Sequence, residues 1–394
     1  VSGRDVVFTF SYETYADAVA RGMMRPPDRI LQTLLSSPDV DGLLVANPFR
    51  SHASVAARRI GGRHPEFPTS ARRALVTPVR AARADPIDVP AVVRGYRRYD
   101  SALRAHADRL GLRHPAVITT NPLVAAFSPF AWASTVTYFA RDDWTSYGAR
   151  QEYWPAYRAA YRQIRDAEIG VAAVSQEIVD RIAPRGPSIV VPNGVDPAEW
   201  LGPAPTPPAW LAAIPEPRAI YVGTIDERLD AEGVAALATA RPELQIVLLG
   251  PAPDPAYVAG LRGIANLHIH DGVGRDELVA ALRSCQVSLL AHRRTPLTEA
   301  MSPLKVYEYL AAGLPVVSID LPPVRDIADR ILIAPSTAEM GPVVDDALAL
   351  GPAGEAARIG FVEEHSWAAR HRAVLDLVLR SRLLHRGEEL IRAV

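Results

Sequence analysis

The stretch QVSLLAHRRTPLTEAMSPLKVYEYLAAGLPVVSI, residues 286–319, decides the fold. An apolar run, VSLLAH (287–292), is followed by the polar loop RRTPLTEAM and then by a segment running from Ser302 to Gly313. A second apolar run, PVVSI, starts at once after it. Short apolar runs bounded by turn residues read as strands buried on both faces. The segment between reads as a helix of about ten residues. Ser302 suits an N-cap, Pro303 at the first helical position gives up an N–H that has no partner anyway, and Gly313 can take the left-handed conformation that ends a helix. Strand, helix, strand is the right-handed crossover of a parallel sheet.

Inside that helix lies Lys305, the only lysine among 43 basic residues. The excess of Arg, Ala and Pro matches GC-rich coding. Under such a bias an individual arginine says little about function, and a surviving lysine says more. The helix follows a strand-end loop, so its N-terminal N–H groups and partial positive charge face the sheet edge where ligands bind. A diphosphate suits that place, and Lys305 in the first turn adds a full charge. Glu308 follows one turn later on the same side, where a carboxylate can accept from the vicinal hydroxyls of a ribose. The plainer alternative is a surface Lys–Glu pair at i, i+3, worth a few tenths of a kcal/mol.

Outward from this unit the same alternation fills the chain. Strands are expected at 6–10, 42–47, 74–79, 116–121, 135–140, 169–175 and 188–193, and again at 219–223, 245–250, 267–270, 287–292, 315–320 and 331–334. Helices are expected at 91–110 in the first half, at about 230–240, 254–262, 275–284, 303–312 and 337–350 in the second, and at about 367–391. The last is amphipathic through Trp367, Val374, Leu377, Val378 and Leu384. The segment 200–217 holds six prolines and reads as a linker. The expected fold is therefore α/β: two doubly wound, Rossmann-like domains, 1–199 and 218–366, facing a cleft, with the helix from 367 packing back on the first domain.

Composition narrows the class further. The single cysteine, Cys285, allows no intrachain disulfide and no cysteine-based zinc site, which fits a reducing cytoplasm. VSGRDVVFTF has no apolar segment behind a basic start, so no signal peptide is expected. Residues 116–140 carry no charge, but their prolines and polar residues read as two buried strands and a loop, not as a membrane span. The net charge is −1, yet Arg50–Arg113 carries 14 arginines against five acidic residues. That excess points to an anionic partner of the first half, or to a solvated arginine-rich surface.

Several motifs are set aside. Ser302–Lys305 spells S-x-x-K, but the K-T-G that accompanies it in penicillin-binding proteins needs a second lysine. Asp39-Val-Asp41 precedes its strand and so sits at the wrong sheet edge for a metal-binding D-x-D. No G-x-G-x-x-G occurs, so nicotinamide binding has no support. Asp142 and Asp143 follow the strand TVTYFA and could orient a hydroxyl or cap the next segment. Ser11 and Tyr12 lie at the same edge.

SPLKVYEYLAAGLPVVS resembles the signature of the retaining glycosyltransferases of family 4, which have the GT-B fold. YVGTIDERLD (221–230), ELQIVLLGP (243–251), NLHIHDGV (266–273), QVSLLAHRRTPLTEAMSPLK (286–305) and, in the first half, ITTNP, ARDDW and VVPNGVD (190–196) are similar to a bacterial branch with teichuronic-acid-type enzymes, with the first 110 residues matching weakly. The resemblance implies a nucleotide-sugar donor in the second domain and an acceptor in the first. It implies that Glu308 binds the nucleotide ribose, that the backbone of Met301, Ser302, Pro303 and Leu304 touches sugar and diphosphate, and that Gly223 ends the first donor-domain strand. The family's Arg after that glycine is Thr224 here, its Lys five residues later is Leu229, and its first glutamate is Ala300, with Glu299 one position off. Lys305 and Arg228 are the expected substitutes, with His292 to Arg294 as further candidates and Asp143 as a catalytic candidate in the first domain.

The expected function is sugar transfer from a nucleoside-diphosphate sugar to a hydroxyl with retention. It needs no cofactor beyond the donor and no metal. The acceptor is open between an anionic or lipid-linked molecule and a natural-product aglycone. No nucleic acid partner is expected, and the expected location is the cytoplasm, with peripheral contact at the inner membrane face open. Two alternatives remain: a non-catalytic nucleotide-sugar-binding partner of another transferase, and a 2-epimerase using His270, His292 and Glu299.

Overall fold

In the computed structural model the described residues are 3–61, 65–83 and 85–392. They form two units, Val1–Pro192 with Arg370–Val394, and Asn193–Ala369. The first unit holds β1 (Arg4–Thr9), β2 (Val40–Ala46), β3 (Arg50–Ser51), β4 (Arg73–Val76), β5 (Val79–Arg80), β6 (Ala116–Thr119), β7 (Thr135–Ala140), β8 (Gly170–Ala173) and β9 (Ser188–Val190). The second holds β10 (Arg218–Val222), β11 (Gln245–Leu249), β12 (Leu267–His270), β13 (Val287–Leu290), β14 (Val316–Ile319) and β15 (Ile331–Ala334). Two parallel sheets result, β4-β2-β1-β6-β7-β8-β9 and β12-β11-β10-β13-β14-β15, with β3 and β5 as a small separate pair. All thirteen expected strands lie in the two large sheets.

Strand alternation explains why each sheet needs two covers. In the first unit Val6, Phe8, Leu43, Val45, Ala116 and Ile118 enter one core. Their neighbours Val7, Leu44, Ala46 and Val117 enter another. The first core is closed by Val374 and Val378 of the helix Trp367–Arg392, so the expected docking of that helix on the first unit is seen. The side chain of Leu384 lies outside the described residues. The second core is closed by Val92, Tyr96, Tyr99 and Leu103 of the helix Val89–Arg109, whose Asp88 caps it through Ala91 N.

Four local features differ from expectation. Between β6 and β7 the chain forms a helix, Pro122–Phe127, not a loop. Asn121 accepts from Leu123 N and Pro122 takes the first position, which together nucleate it. The expected helix at 254–262 is reduced to a 3₁₀ turn, Ala259–Leu261. Pro253 and Pro255 remove donors there, and Gly260 and Gly263 weaken what remains. A helix not expected, Glu355–Glu364, lies after Gly351. The proline-rich segment 200–217, expected as a linker, has Trp200, Leu211 and Ile214 in the core of the second unit.

Candidate functional site

In the second sheet β10 and β13 are neighbours from which the strand order runs outward in both directions. In doubly wound folds ligands bind beyond the C-terminal ends of two such strands. Lys305 is found there. Its Nζ lies 3.7 Å from the ring centroid of Tyr221 on β10 and 3.2 Å from Nε2 of His292, just after β13. Gly223 follows β10 with φ +131°, and a Cβ on it would meet Lys305 Nζ at 2.9 Å. Only glycine gives both that backbone conformation and that clearance.

The helix that carries the lysine is Leu304–Ala311, with Pro303 as its N-cap and no side-chain cap. Ser302 is therefore not the cap. Its hydroxyl accepts from Asn193 N (3.1 Å) and its carbonyl accepts from Asn193 Nδ2 (2.7 Å). These bonds fix the Met301–Leu304 backbone, while the N–H groups of the first turn have no partner within the helix. Val306, Tyr307, Tyr309 and Leu310 bury the helix in the core, and Tyr309 Oη accepts from Val222 N at 2.8 Å. At the far end Gly313 has φ +90°, as the sequence predicted, and Arg358 donates to Ala311 O and Trp200 O.

Burial pushes Lys305 well below the usual lysine value, and the Arg228 charge pushes it further. His292 is lowered by the same burial and then by Lys305 and Arg228. Tyr221 Oη lies 3.3 Å from the same His292 Nε2 that Lys305 approaches. Lys305 Nζ and Tyr221 Oη thus converge on one ring nitrogen. Arg228 is held by Asp226 through two bonds, Nε–Oδ1 at 2.9 Å and Nη2–Oδ2 at 2.7 Å. Burial alone would raise Asp226, but Arg228 outweighs it and holds the carboxyl low. Thr224 is half-buried beside Gly223, and Leu229 is fully buried in the core.

Glu308 is buried, and its Oε1 lies 2.5 Å from Arg275 Nη1. Arg275 also binds Glu199 Oε2 through Nε (2.8 Å) and Nη2 (2.7 Å), and its guanidinium lies 5.5 Å from the Trp200 ring. Burial works against the Arg275 charge, but Glu308 and Glu199 outweigh it and hold the pKa above the ordinary arginine value. Two carboxylates share one guanidinium.

The other candidates have separate occupations. Asp143, in the first unit, is buried, and its Oδ1 accepts from Thr145 N (3.1 Å) and Oγ1 (2.7 Å). Its Oδ2 accepts from Ser146 Oγ and pairs with Arg181. These are bonds expected of a residue that caps the segment after β7. Ser11 Oγ donates to Thr120 O at 2.7 Å, and Tyr12 Oη bonds Tyr157 Oη. His270 stacks on Trp210 with ring centroids 4.0 Å apart, and Glu299 pairs with Arg294. Among the described residues no group of three His, Cys, Asp or Glu could hold a metal ion. No helix among them is long and apolar enough to cross a membrane. Cys285 is buried, which pushes its thiol up to about 12 and leaves it inert at neutral pH.

Sequence reasoning missed Tyr221, Asp226, Glu199 and Arg275. Tyr221 was visible as the one aromatic before the strand-ending glycine. Arg275 was hidden by the arginine excess, since nothing in its neighbourhood marks it out.

Residues 216–349 match the family model described as glycosyl transferases group 1. Over 105 residues the chain is 27% identical to the Bacillus subtilis protein TuaH, a candidate glycosyltransferase of teichuronic acid biosynthesis. That match takes in 26% of this chain and 26% of TuaH. In fold the chain is similar to sucrose-phosphate synthase of Thermosynechococcus elongatus, with TM-score 0.63, 14% identity and coverage of 99% of this chain and 100% of that one. It is also similar to Anabaena HepE, solved in complex with UDP-glucose, with TM-score 0.54, 14% identity and coverage of 98% and 99%.

Proposed function

We propose that this chain, whose residues 216–349 match the group 1 glycosyltransferase model and whose fold is similar to that of GT-B enzymes, moves a sugar from a nucleoside-diphosphate sugar to an acceptor hydroxyl with retention. The observation that carries the reading is the lone lysine at the end of β10, against Tyr221, Gly223 and His292. The uncapped tip of the helix Leu304–Ala311 and the Lys305 ammonium receive the diphosphate, with Arg228 adding charge beside them. Glu308 takes the ribose hydroxyls. The bond from the anomeric carbon to the diphosphate oxygen breaks, and the bond from that carbon to the acceptor oxygen forms on the same face. The acceptor's proton goes to the departing phosphate oxygen, so no separate base is needed. Charge held in place at the leaving group is the main source of rate.

HepE binds UDP-glucose, which makes that donor the first probe. Calorimetric titration should give saturable binding of UDP-glucose to the full chain, weakened in Glu308→Ala. Turnover should fall about 10²–10³-fold in Lys305→Ala, as for loss of one preorganised donor. Near-normal turnover in that variant would sink the assignment. A teichuronic-type acceptor is the finer reading, and it leans on the 105 residues shared with TuaH. Leu229, buried where the family has a lysine, favours a second reading in which the chain binds the donor without using it. Donor binding with neither hydrolysis nor transfer would select that one.

A further inference from the structure

The first unit contains a cavity of about 460 Å³ that the transfer chemistry above does not use. It lies beside β5 and the first half of the helix Val89–Arg109, beyond the C-terminal ends of β2 and β4. Its volume falls within the range of small-molecule sites. Phe49, Val79, Val92 and Leu123 give it apolar walls. Three guanidiniums and one carboxylate stand around them. Arg80 is paired with Asp85 and lies 5.7 Å from the Phe49 ring centroid, so its charge is already compensated. Arg94 and Arg98 are exposed at the cavity and make no ion pair among the described residues. The result is an apolar chamber with two uncompensated positive charges.

Gly95 gives a second, independent indication. It sits inside a helix of 21 residues, where glycine costs roughly 0.5–1 kcal/mol relative to alanine. Packing does not require it: a Cβ built there meets nothing within 4 Å. Gly95 lines the cavity, and any larger residue would project into open space.

We propose that this cavity binds a molecule with an apolar body and one anionic oxygen group, such as a phosphate monoester. Its role as the sugar acceptor, which further requires a free hydroxyl on the ligand, rests on the transfer reading above, whereas the ligand class rests on the cavity alone. The probe is 1-naphthyl phosphate, titrated calorimetrically into the full chain, with inorganic phosphate and 1-naphthol as its two halves. One site per chain is expected, at least tenfold tighter than for either half. Gly95→Phe fills the chamber and favours the helix, so it should fold with an unchanged or raised Tm and lose the probe more than tenfold. Arg94→Glu combined with Arg98→Glu should lose 1-naphthyl phosphate but keep 1-naphthol. UDP-glucose binding should be unchanged in all these variants. If the probe binds no tighter than inorganic phosphate, or binds folded Gly95→Phe as well as the unmodified chain, the proposal is overturned. If the probe behaves as expected while UDP-glucose fails to bind, the cavity stands and only its acceptor role falls.

Discussion

Lys305 is unusual in that its surroundings hold it toward the neutral amine until a ligand arrives. Burial is the first cause and Arg228 the second, while Asp226 and Glu308 partly offset them. A bound diphosphate brings negative charge to the same place and favours the ammonium. Binding should therefore take up a proton. Titrations of UDP in buffers of different ionisation enthalpy should reveal uptake of up to one proton per site, and Lys305→Met should abolish it. Identical heats in all buffers would exclude a neutral amine in the free protein. Arg275 acts one step further out, by pairing with Glu308, the carboxylate proposed above to take the ribose hydroxyls. Arg275→Gln should raise the donor KM about tenfold, with kcat changed only a few-fold. The preference for UDP over 2′-deoxy-UDP should shrink in parallel. A merely structural role would leave that preference intact.

At the level of elements, the strand end at Gly223 and the helix from Leu304 set the position of the amine together. Gly223→Ala places a residue at φ +131° and a methyl group 2.9 Å from Lys305 Nζ. Strain of this kind costs about 1–3 kcal/mol. The variant should lose that much in urea unfolding and bind UDP more weakly, because the lysine end has to move. Unchanged affinity would mean that the amine does not contact the nucleotide. The same pair of elements marks what the sequence discloses. PVVSI and VSLLAH are apolar on both faces, so they read as central strands without help from the rest of the chain. Pro303 and Gly313 punctuate the helix between them closely enough to locate it. Its capping was misread because Ser302 bonds Asn193, which is over a hundred positions away and leaves no local trace. Arg275 escaped for a related reason: its role comes from Glu199 and Glu308, brought to it by folding alone. Asp143 was legible only as a pair of options, because the choice depends on Arg181 from a later helix.

Over the whole molecule a buried histidine in each unit, His292 and His371, resists protonation, and this couples both folds to acid. His292 in the second unit is held well below its ordinary value, first by burial. His371, on the helix that closes the first core, is lowered to about 3, by burial first and Arg29 second. Its Nδ1 lies 2.6 Å from Thr33 Oγ1, which ties that helix to Pro26–Ser36. The sign follows from the reference state. Above pH 6.5 both rings are neutral whether the chain is folded or not, and nothing is lost. As pH falls below 6.5 the unfolded chain binds protons that the folded chain refuses, so stability declines until the folded-state value is reached. Each ring contributes up to about 1.4 kcal/mol per pH unit in that window. For His371, with its folded value of about 3, this amounts to about 2 kcal/mol between pH 6.5 and 5, enough to lower Tm by several degrees. Replacing His371 with glutamine keeps a side chain that can bond Thr33 and removes the titration. The acid-induced fall in Tm of the first unit should then flatten, while the second unit keeps its own. Parallel losses in the two proteins would show that His371 is not the group through which the first unit senses acid.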